Sequence, residues 1–162
     1  MRKKTIEEYV EVIFTIQKTK KIAHTNDVAL ALDVNPASVT EMFGKLRKED
    51  YINYEKYSGV TLTDKGKKLA VILKKRHETL KHFLELIGVD EFIADADACK
   101  IEHNVHPKTV DKLKKFVEFA NKETSCNRWL EHFKYYYKTG KFIICTPFDE
   151  SNCPIHNSRF KK

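Results

Sequence analysis

Hydrophobic residues in the first fifty positions recur with the period of an α-helix. The first set predicts a helix over residues 4–19, with apolar positions Ile6, Tyr9, Val10, Ile13 and Ile16. A shorter helical pattern covers residues 26–32, with Thr25 as its expected N-cap. Asn35 and Pro36 form a break that is typical of a helix start, so a third helix is predicted from 36 to about 49.

The period changes after Tyr51, where apolar residues alternate on both sides of a turn at residues 56–59 and predict a short β-hairpin. Four further helices are predicted at about 64–87, 90–104, 107–123 and 127–139. Gly88 and Gly140 follow two of them, as C-terminal capping glycines do. The chain is therefore predicted to be mainly α.

Three helices followed by a two-stranded hairpin form the winged helix-turn-helix pattern. We expect a winged helix-turn-helix domain at 1–72, an all-helical domain at 73–140 and an irregular, Cys-containing tail at 141–162. In this pattern the third helix lies in a DNA major groove. The predicted DNA-contacting residues are Asn35, Pro36, Ala37, Ser38, Thr40, Glu41, Lys45 and Lys48 on the third helix, and Lys56 and Tyr57 at the hairpin tip. A three-helix protein-interaction module with a basic face is the alternative, and the acidic Glu41 on the reading face favours it.

Charge and composition agree with a nucleic-acid partner without proving one. The formal net charge is +7, and the excess of basic residues lies at both ends of the chain. The sequence has neither a long apolar run nor an apolar N-terminal segment, so we expect a cytoplasmic protein that does not contact a membrane. Four cysteines in a reducing compartment favour metal binding over disulfides.

Cys99, Glu102 and His103 are spaced i, i+3 and i+4, which places three metal ligands on one face of a helix. A thiolate, a carboxylate and an imidazole suit a transition metal better than Mg²⁺ or Ca²⁺. The alternative is a small buried Cys beside an exposed Glu-His pair. On the first helix, Glu8 pairs with Glu11 at i, i+3 and Glu7 pairs with it at i, i+4, so spacing alone does not decide which carboxylates are ligands.

The C-terminal tail carries a second group of potential ligands. Cys153 and His156 have the two-residue gap of metal-ligand pairs, and Cys126 and Cys145 complete a set of four. This set predicts a Zn²⁺ site or an iron–sulfur cluster. Thiols that bind no metal, in an irregular basic tail, are the alternative.

Seven segments in unbroken order resemble the diphtheria toxin repressor family of metal-dependent repressors, particularly its short manganese- and iron-responsive members. The segments are Glu7-Glu8-Tyr9 with Glu11, Asn35 to Met42, Tyr54 to Val60, Leu62 to Gly66, Arg76-His77-Glu78, Ile87 to Glu91, and Ala98 to His103. The similarity runs from about residue 5 to about residue 120.

The resemblance implies a DNA-binding winged helix-turn-helix domain, a helical metal-binding and dimerisation domain, and a divalent metal between them that acts as corepressor. By position, the implied ligands are Glu8, Glu11, His77, Cys99, Glu102 and His103. It also implies a homodimer that binds a double-stranded DNA operator. We expect the dimer contact to include Leu84, Phe116 and Phe119.

The chain departs from the family pattern in two places, at the metal-ligand positions Glu8 and Cys99 and at Lys81. Manganese-responsive relatives have Glu where this chain has Cys99, and iron-responsive relatives have Met where it has Glu8. Because thiolate is a soft ligand, we expect Fe²⁺ as the physiological metal with Mn²⁺ next, and Co²⁺, Ni²⁺ or Zn²⁺ as substitutes. Lys81 stands where iron-type relatives use a Glu in an ancillary site, so that site is doubtful here, although His77 and Asp95 are available.

The sequence therefore predicts a metal-dependent transcriptional repressor that controls metal-homeostasis genes. The main alternative is a metal-independent winged-helix regulator whose acidic and His cluster is structural. We do not expect an enzyme, because no nucleophile or general base accompanies the ligands. For a metal-storage protein the helix-turn-helix would be superfluous.

Overall fold

A computed structural model describes residues 3–55, 58–122 and 128–142. Within them the chain forms seven α-helices and one antiparallel pair of strands, which confirms the predicted mainly α fold with a small wing. In chain order the elements are α1 (Lys3–Lys20), α2 (Thr25–Leu32), α3 (Pro36–Lys48), β1 (Ile52–Glu55), β2 (Gly59–Leu62), α4 (Asp64–Leu86), α5 (Glu91–Ile101), α6 (Pro107–Lys122) and α7 (Arg128–Thr139).

Local capping groups set the start of α3 and α2. The Asn35 side chain accepts a hydrogen bond of 2.8 Å from the Ala37 N–H, and Pro36 is the first residue of α3, as predicted. The prediction for α2 was wrong by one residue, because Thr25 is already helical and His24 is the N-cap. The His24 N–H donates to the Asp27 carboxylate at 3.2 Å, so Asp27 satisfies the backbone N–H of the N-cap residue.

The wing packs on the three N-terminal helices through a shared apolar core. Ile52 pairs with Leu62 and Tyr54 with Val60 across the hairpin. Ala23 adds a single bridge to Val60, which joins the wing to the segment before α2. The inward side chains are completely or almost completely buried, among them Ile13, Val39, Phe43, Leu46, Ile52 and Val60.

Helix α4 begins in close contact with the end of the helix-turn-helix. The Thr63 N–H donates to the Tyr51 carbonyl at 3.1 Å. A Cβ at Gly66 would lie 2.1 Å from the same Tyr51 oxygen, so only glycine fits at this position. Gly88 and Gly140 have positive φ angles of 99° and 67°, which agrees with their predicted places after helices.

Helix α5 ends at Ile101, so its predicted extent to residue 104 was wrong. Residues 102–104 form a turn in which the Ile101 carbonyl accepts from the N–H groups of Asn104 at 2.9 Å and Val105 at 3.1 Å. Glu102 and His103 therefore lie in the turn that follows the helix carrying Cys99.

The chain divides into two compact units. The first contains residues 1–78 and 99–105, and the second contains residues 79–98 and those from 106 onward. In the second unit the Phe116 ring makes edge-to-face contacts with Phe83 and Trp129, at centroid distances of 6.0 and 5.7 Å. None of the helices described combines the length and the apolar character that crossing a bilayer requires.

Candidate metal centre and nucleic-acid interface

Three ligand side chains converge in the first unit. Glu11 on α1, Glu102 and His103 in the turn after α5 each offer one ligand atom, and these atoms lie within 4.8 Å of one another. His103 Nε2 is 3.3 Å from a Glu11 oxygen and 3.6 Å from a Glu102 oxygen. One imidazole thus faces two carboxylates that are 91 residues apart in the chain.

His77 on α4 adds a second imidazole beside Glu102, with Nδ1 3.3 Å from Glu102 Oε2. The Glu102 side chain is only 3% exposed. Among the described residues Oε2 accepts no well-directed hydrogen bond, in spite of the nearby imidazole. Because a buried carboxylate is costly unless its charge is neutralised, this arrangement fits the binding of a cation.

The electrostatics of the cluster also favour an added positive charge. Burial, together with the neighbouring carboxylates Glu102 and Glu7, raises the pKa of Glu11 to about 7 against the lowering effect of His103 and His77. Burial also raises the pKa of Glu102, although His77, His103 and Arg76 oppose that rise. Two carboxylates that resist ionisation when no cation is present are well suited to bind one.

A second layer of buried polar groups supports these side chains. Glu7, which is 2% exposed, lies with its Oε2 3.0 Å from His103 Nδ1. Arg76 Nη1 donates to the same Glu7 oxygen at 3.3 Å and to the Glu102 backbone carbonyl at 3.1 Å. Arg76 therefore connects α1 to the turn that carries Glu102 and His103.

Glu8 and Cys99 are placed differently from the converging atoms. Both line an open cavity of about 630 Å³ that Glu11, Glu102 and His103 also line. Cys99 is exposed and its sulfur is not one of the three atoms that converge. Of the six predicted ligands, three converge, His77 lies against Glu102, and Glu8 and Cys99 lie at the adjoining cavity.

The sequence interpretation did not assign the roles of Glu7 and Arg76. A signal for Arg76 was present, since it falls between Leu73 and Leu80 at helical spacing, on a stripe that is otherwise apolar and buried. A charged residue on such a stripe indicates an internal partner. Spacing did not distinguish Glu7 from Glu8.

Lys81 belongs to the second unit, where its ammonium group lies among carboxylates. Nζ is 3.2 Å from Glu91, 3.3 Å from Asp95 and 3.9 Å from Glu85. These contacts raise the pKa of Lys81, chiefly through the hydrogen bond to Glu91, so the side chain is a fixed positive charge. Lys81 thus neutralises acidic groups in the region where the resemblance places an ancillary ion.

The predicted DNA-contacting residues of α3 that the structure describes are all exposed. Glu41 forms an ion pair with Lys45 one turn later, which offsets its negative charge on the reading face. The Thr40 hydroxyl donates to the Pro36 carbonyl at 3.0 Å, so the hydroxyl oxygen is left as an acceptor. Lys56 and Tyr57 lie outside the described residues, as do Cys126, Cys145, Cys153 and His156 of the predicted tail site.

Two family profiles match most of the chain. "Iron dependent repressor, N-terminal DNA binding domain" matches residues 1–60, and "Iron dependent repressor, metal binding and dimerisation domain" matches residues 63–130. Similar curated proteins are the HTH-type transcriptional regulators MntR of Oceanobacillus iheyensis and of Bacillus subtilis. The first is 43% identical over 122 residues, which cover 75% of this chain and 82% of the relative. The second is 41% identical over 119 residues, which cover 74% and 84%.

Solved structures agree with these matches. A structure described as "Manganese-dependent transcriptional repressor complex with manganese" has a TM-score of 0.64 and 25% identity, and the aligned part covers 70% of this chain and 53% of that one. The chain therefore belongs to the iron-dependent repressor family of metal-dependent transcriptional regulators. It carries both domains of the family, one for DNA binding and one for metal binding and dimerisation.

Proposed function

We propose that the protein is a dimeric repressor whose affinity for operator DNA depends on a divalent transition metal bound by Glu11, Glu102 and His103, with His77 as a further ligand. The observation that carries the proposal is the convergence of two carboxylates and an imidazole on one point of the first unit. Glu8 and Cys99 line the adjoining cavity and complete the proposed ligand set.

The donor set is mixed, which bears on the identity of the metal. Carboxylate and imidazole ligands suit Mn²⁺, Fe²⁺ and Zn²⁺, whereas a thiolate shifts preference towards Fe²⁺, Co²⁺, Ni²⁺ or Zn²⁺. The comparisons do not support the expected ranking of Fe²⁺ ahead of Mn²⁺, since a structural relative is a manganese-dependent repressor. We therefore propose Mn²⁺ or Fe²⁺ as the corepressor, and the contribution of Cys99 decides between them.

A bound ion would supply positive charge to the acidic cluster. Glu11 would then hold α1 against the turn that carries Glu102 and His103, because all three side chains would bind the same ion. Because α1 packs in the core of the helix-turn-helix, order in α1 is expected to limit the positions available to α3. The metal can shift the equilibrium between a loosely held and an ordered α1 only by binding the ordered form more tightly.

The DNA-contacting surface is proposed to consist of the exposed side chains of α3. Ser38 and Thr40 on its first turns are short enough for close approach to base edges, and Lys45 and Lys48 near its end are placed for phosphates. Two such helices in a dimer would read two half-sites. The proposed dimer contact includes Leu84, Phe116 and Phe119, of which Phe119 is 57% exposed.

The test begins with duplexes selected from a random DNA library by the protein in the presence of Mn²⁺. Affinity for the selected duplex is then measured with Mn²⁺ or anaerobic Fe²⁺ titrated in, and with EDTA. Wild-type protein is expected to bind at least tenfold more tightly with metal, because a coupling of about 1.4 kcal/mol already gives tenfold.

Variants of the site and a matched control complete the experiment. Glu11→Lys and His77→Ala are expected to lose the metal response. Glu78→Lys makes the same charge change as Glu11→Lys at an exposed position of α4, and should keep the response. Equal binding with EDTA and with metal would instead support the metal-independent winged-helix regulator.

A further inference from the structure

We propose that Glu7 is a positioning residue that holds His103 in the tautomer required for metal binding, with Arg76 keeping Glu7 in place. This inference rests on the proposed function, because it concerns how the same site is prepared for its ion. Glu7 accepts a hydrogen bond from Nδ1–H, which leaves Nε2 as the nitrogen with a lone pair.

The geometry assigns different partners to the two ring nitrogens. Nδ1 is 3.0 Å from the Glu7 carboxylate, and Nε2 is 3.3 Å from Glu11 and 3.6 Å from Glu102. A neutral imidazole has one N–H and one acceptor nitrogen. When Nδ1 donates to a carboxylate, Nε2 must be the acceptor, and it is this nitrogen that faces the two converging ligands.

Burial keeps water from competing for the hydrogen bond between Glu7 and His103. The side chains of His103 and Glu7 are 5% and 2% exposed, so water does not compete for either group as it would at the surface. Glu7 Oε2 already accepts from Arg76, and Glu7 is not one of the three residues whose ligand atoms converge. Glu7 is therefore better placed to orient the ligand His103 than to bind the metal itself.

Arg76 gives the network its rigidity. Its Nη1 donates to both the Glu7 carboxylate and the Glu102 carbonyl. One guanidinium therefore links Glu7 to the backbone of the turn that carries Glu102 and His103.

The first measurement needs no substitution. In metal-free protein, ¹⁵N NMR of ring-labelled His103 is expected to show mainly the Nδ1–H tautomer. Zn²⁺, used as a diamagnetic probe, should bind without removing the proton from Nδ1. A dominant Nε2–H tautomer in the metal-free wild type would overturn the proposal.

The second measurement is a mutant cycle on the affinity for Mn²⁺, read by competition with a fluorescent chelator. Glu7→Gln is expected to weaken binding by about 10- to 100-fold, the usual loss when a supporting group is removed. In a His103→Ala background the same change should cost little, because no imidazole remains to be oriented. Glu78→Gln, at an exposed position of α4, is the control and should bind as the wild type does.

The outcomes separate this inference from the proposed function. If His103→Ala weakens Mn²⁺ binding but Glu7→Gln does not, the site stands and the positioning role is wrong. An equal loss from Glu7→Gln with and without His103 would mean a general structural effect and would also overturn the inference. If wild-type protein binds Mn²⁺ no better than His103→Ala, the proposed function itself fails.

Discussion

Substituting Glu11 by Gln is expected to have opposite effects on stability in the absence and presence of metal. Glu11 is three-quarters buried beside Glu102 and Glu7, and its pKa is raised from 4.5 to about 7. A raised carboxyl pKa means that the folded state binds the proton more tightly than the unfolded state does. The stability it contributes is complete below pH 4.5 and is lost as the pH rises through 7.

The size of the effect follows from the same values. Ionised Glu11 costs the metal-free fold about 3 kcal/mol at pH 8, at 1.36 kcal/mol for each pH unit between the two pKa values. Gln keeps the shape of the side chain and cannot ionise, so Glu11→Gln should be more stable than wild type in EDTA by up to about this amount. With metal at 1,000 times its Kd, wild type gains about 4 kcal/mol, and the variant gains much less because it lacks a ligand.

The assay is urea unfolding, followed by circular dichroism at pH 5 and pH 8, with EDTA or with Mn²⁺. The advantage of the variant in EDTA should shrink as the pH falls towards 4.5, and Mn²⁺ at pH 8 should reverse the order. Glu78→Gln, on the exposed face of α4, should track the wild type. A Glu11→Gln protein that is less stable than wild type in EDTA at pH 8 would show that the ion pair with His103 outweighs the burial cost, and would refute the reasoning.

Three further expectations concern the rest of the molecule. Lys48→Ala should weaken operator binding and reduce the magnitude of its salt slope by about 1, as loss of one phosphate contact does, and an unchanged slope would remove Lys48 from the interface. Phe119→Ser should shift sedimentation from dimer to monomer, whereas a dimer that persists would place the contact elsewhere. Gly66→Ala should lower the melting temperature, because the new Cβ would meet the Tyr51 carbonyl, while Gly44→Ala in open space should raise stability by about 0.5–1 kcal/mol. The opposite order of the two melting temperatures would contradict the packing at α4.

The elements of the fold were predictable because their signals are local. Asn35 caps α3 and Pro36 begins it, and Gly88 and Gly140 adopt positive φ after α4 and α7. Each of these residues acts on its immediate neighbours in the chain, so its effect can be predicted without knowing the rest of the structure. The two errors, at Thr25 and at the end of α5, lie at helix ends, where a competing group within a few residues decides the boundary.

The amino-acid sequence by itself determined which residue types were available for a metal and that Glu11, Glu102 and His103 were among them. Only the tertiary structure decided how they are used. Glu102 and His103 lie in the turn after Ile101 and not in the helix of Cys99, and the contact with Arg76 separates the surroundings of Glu7 from those of Glu8. Helical spacing treats two adjacent carboxylates as near equivalents. Packing places Glu7 against His103, which is 96 residues away in the chain, and Glu8 at an open cavity, so contacts distant in sequence separate the two.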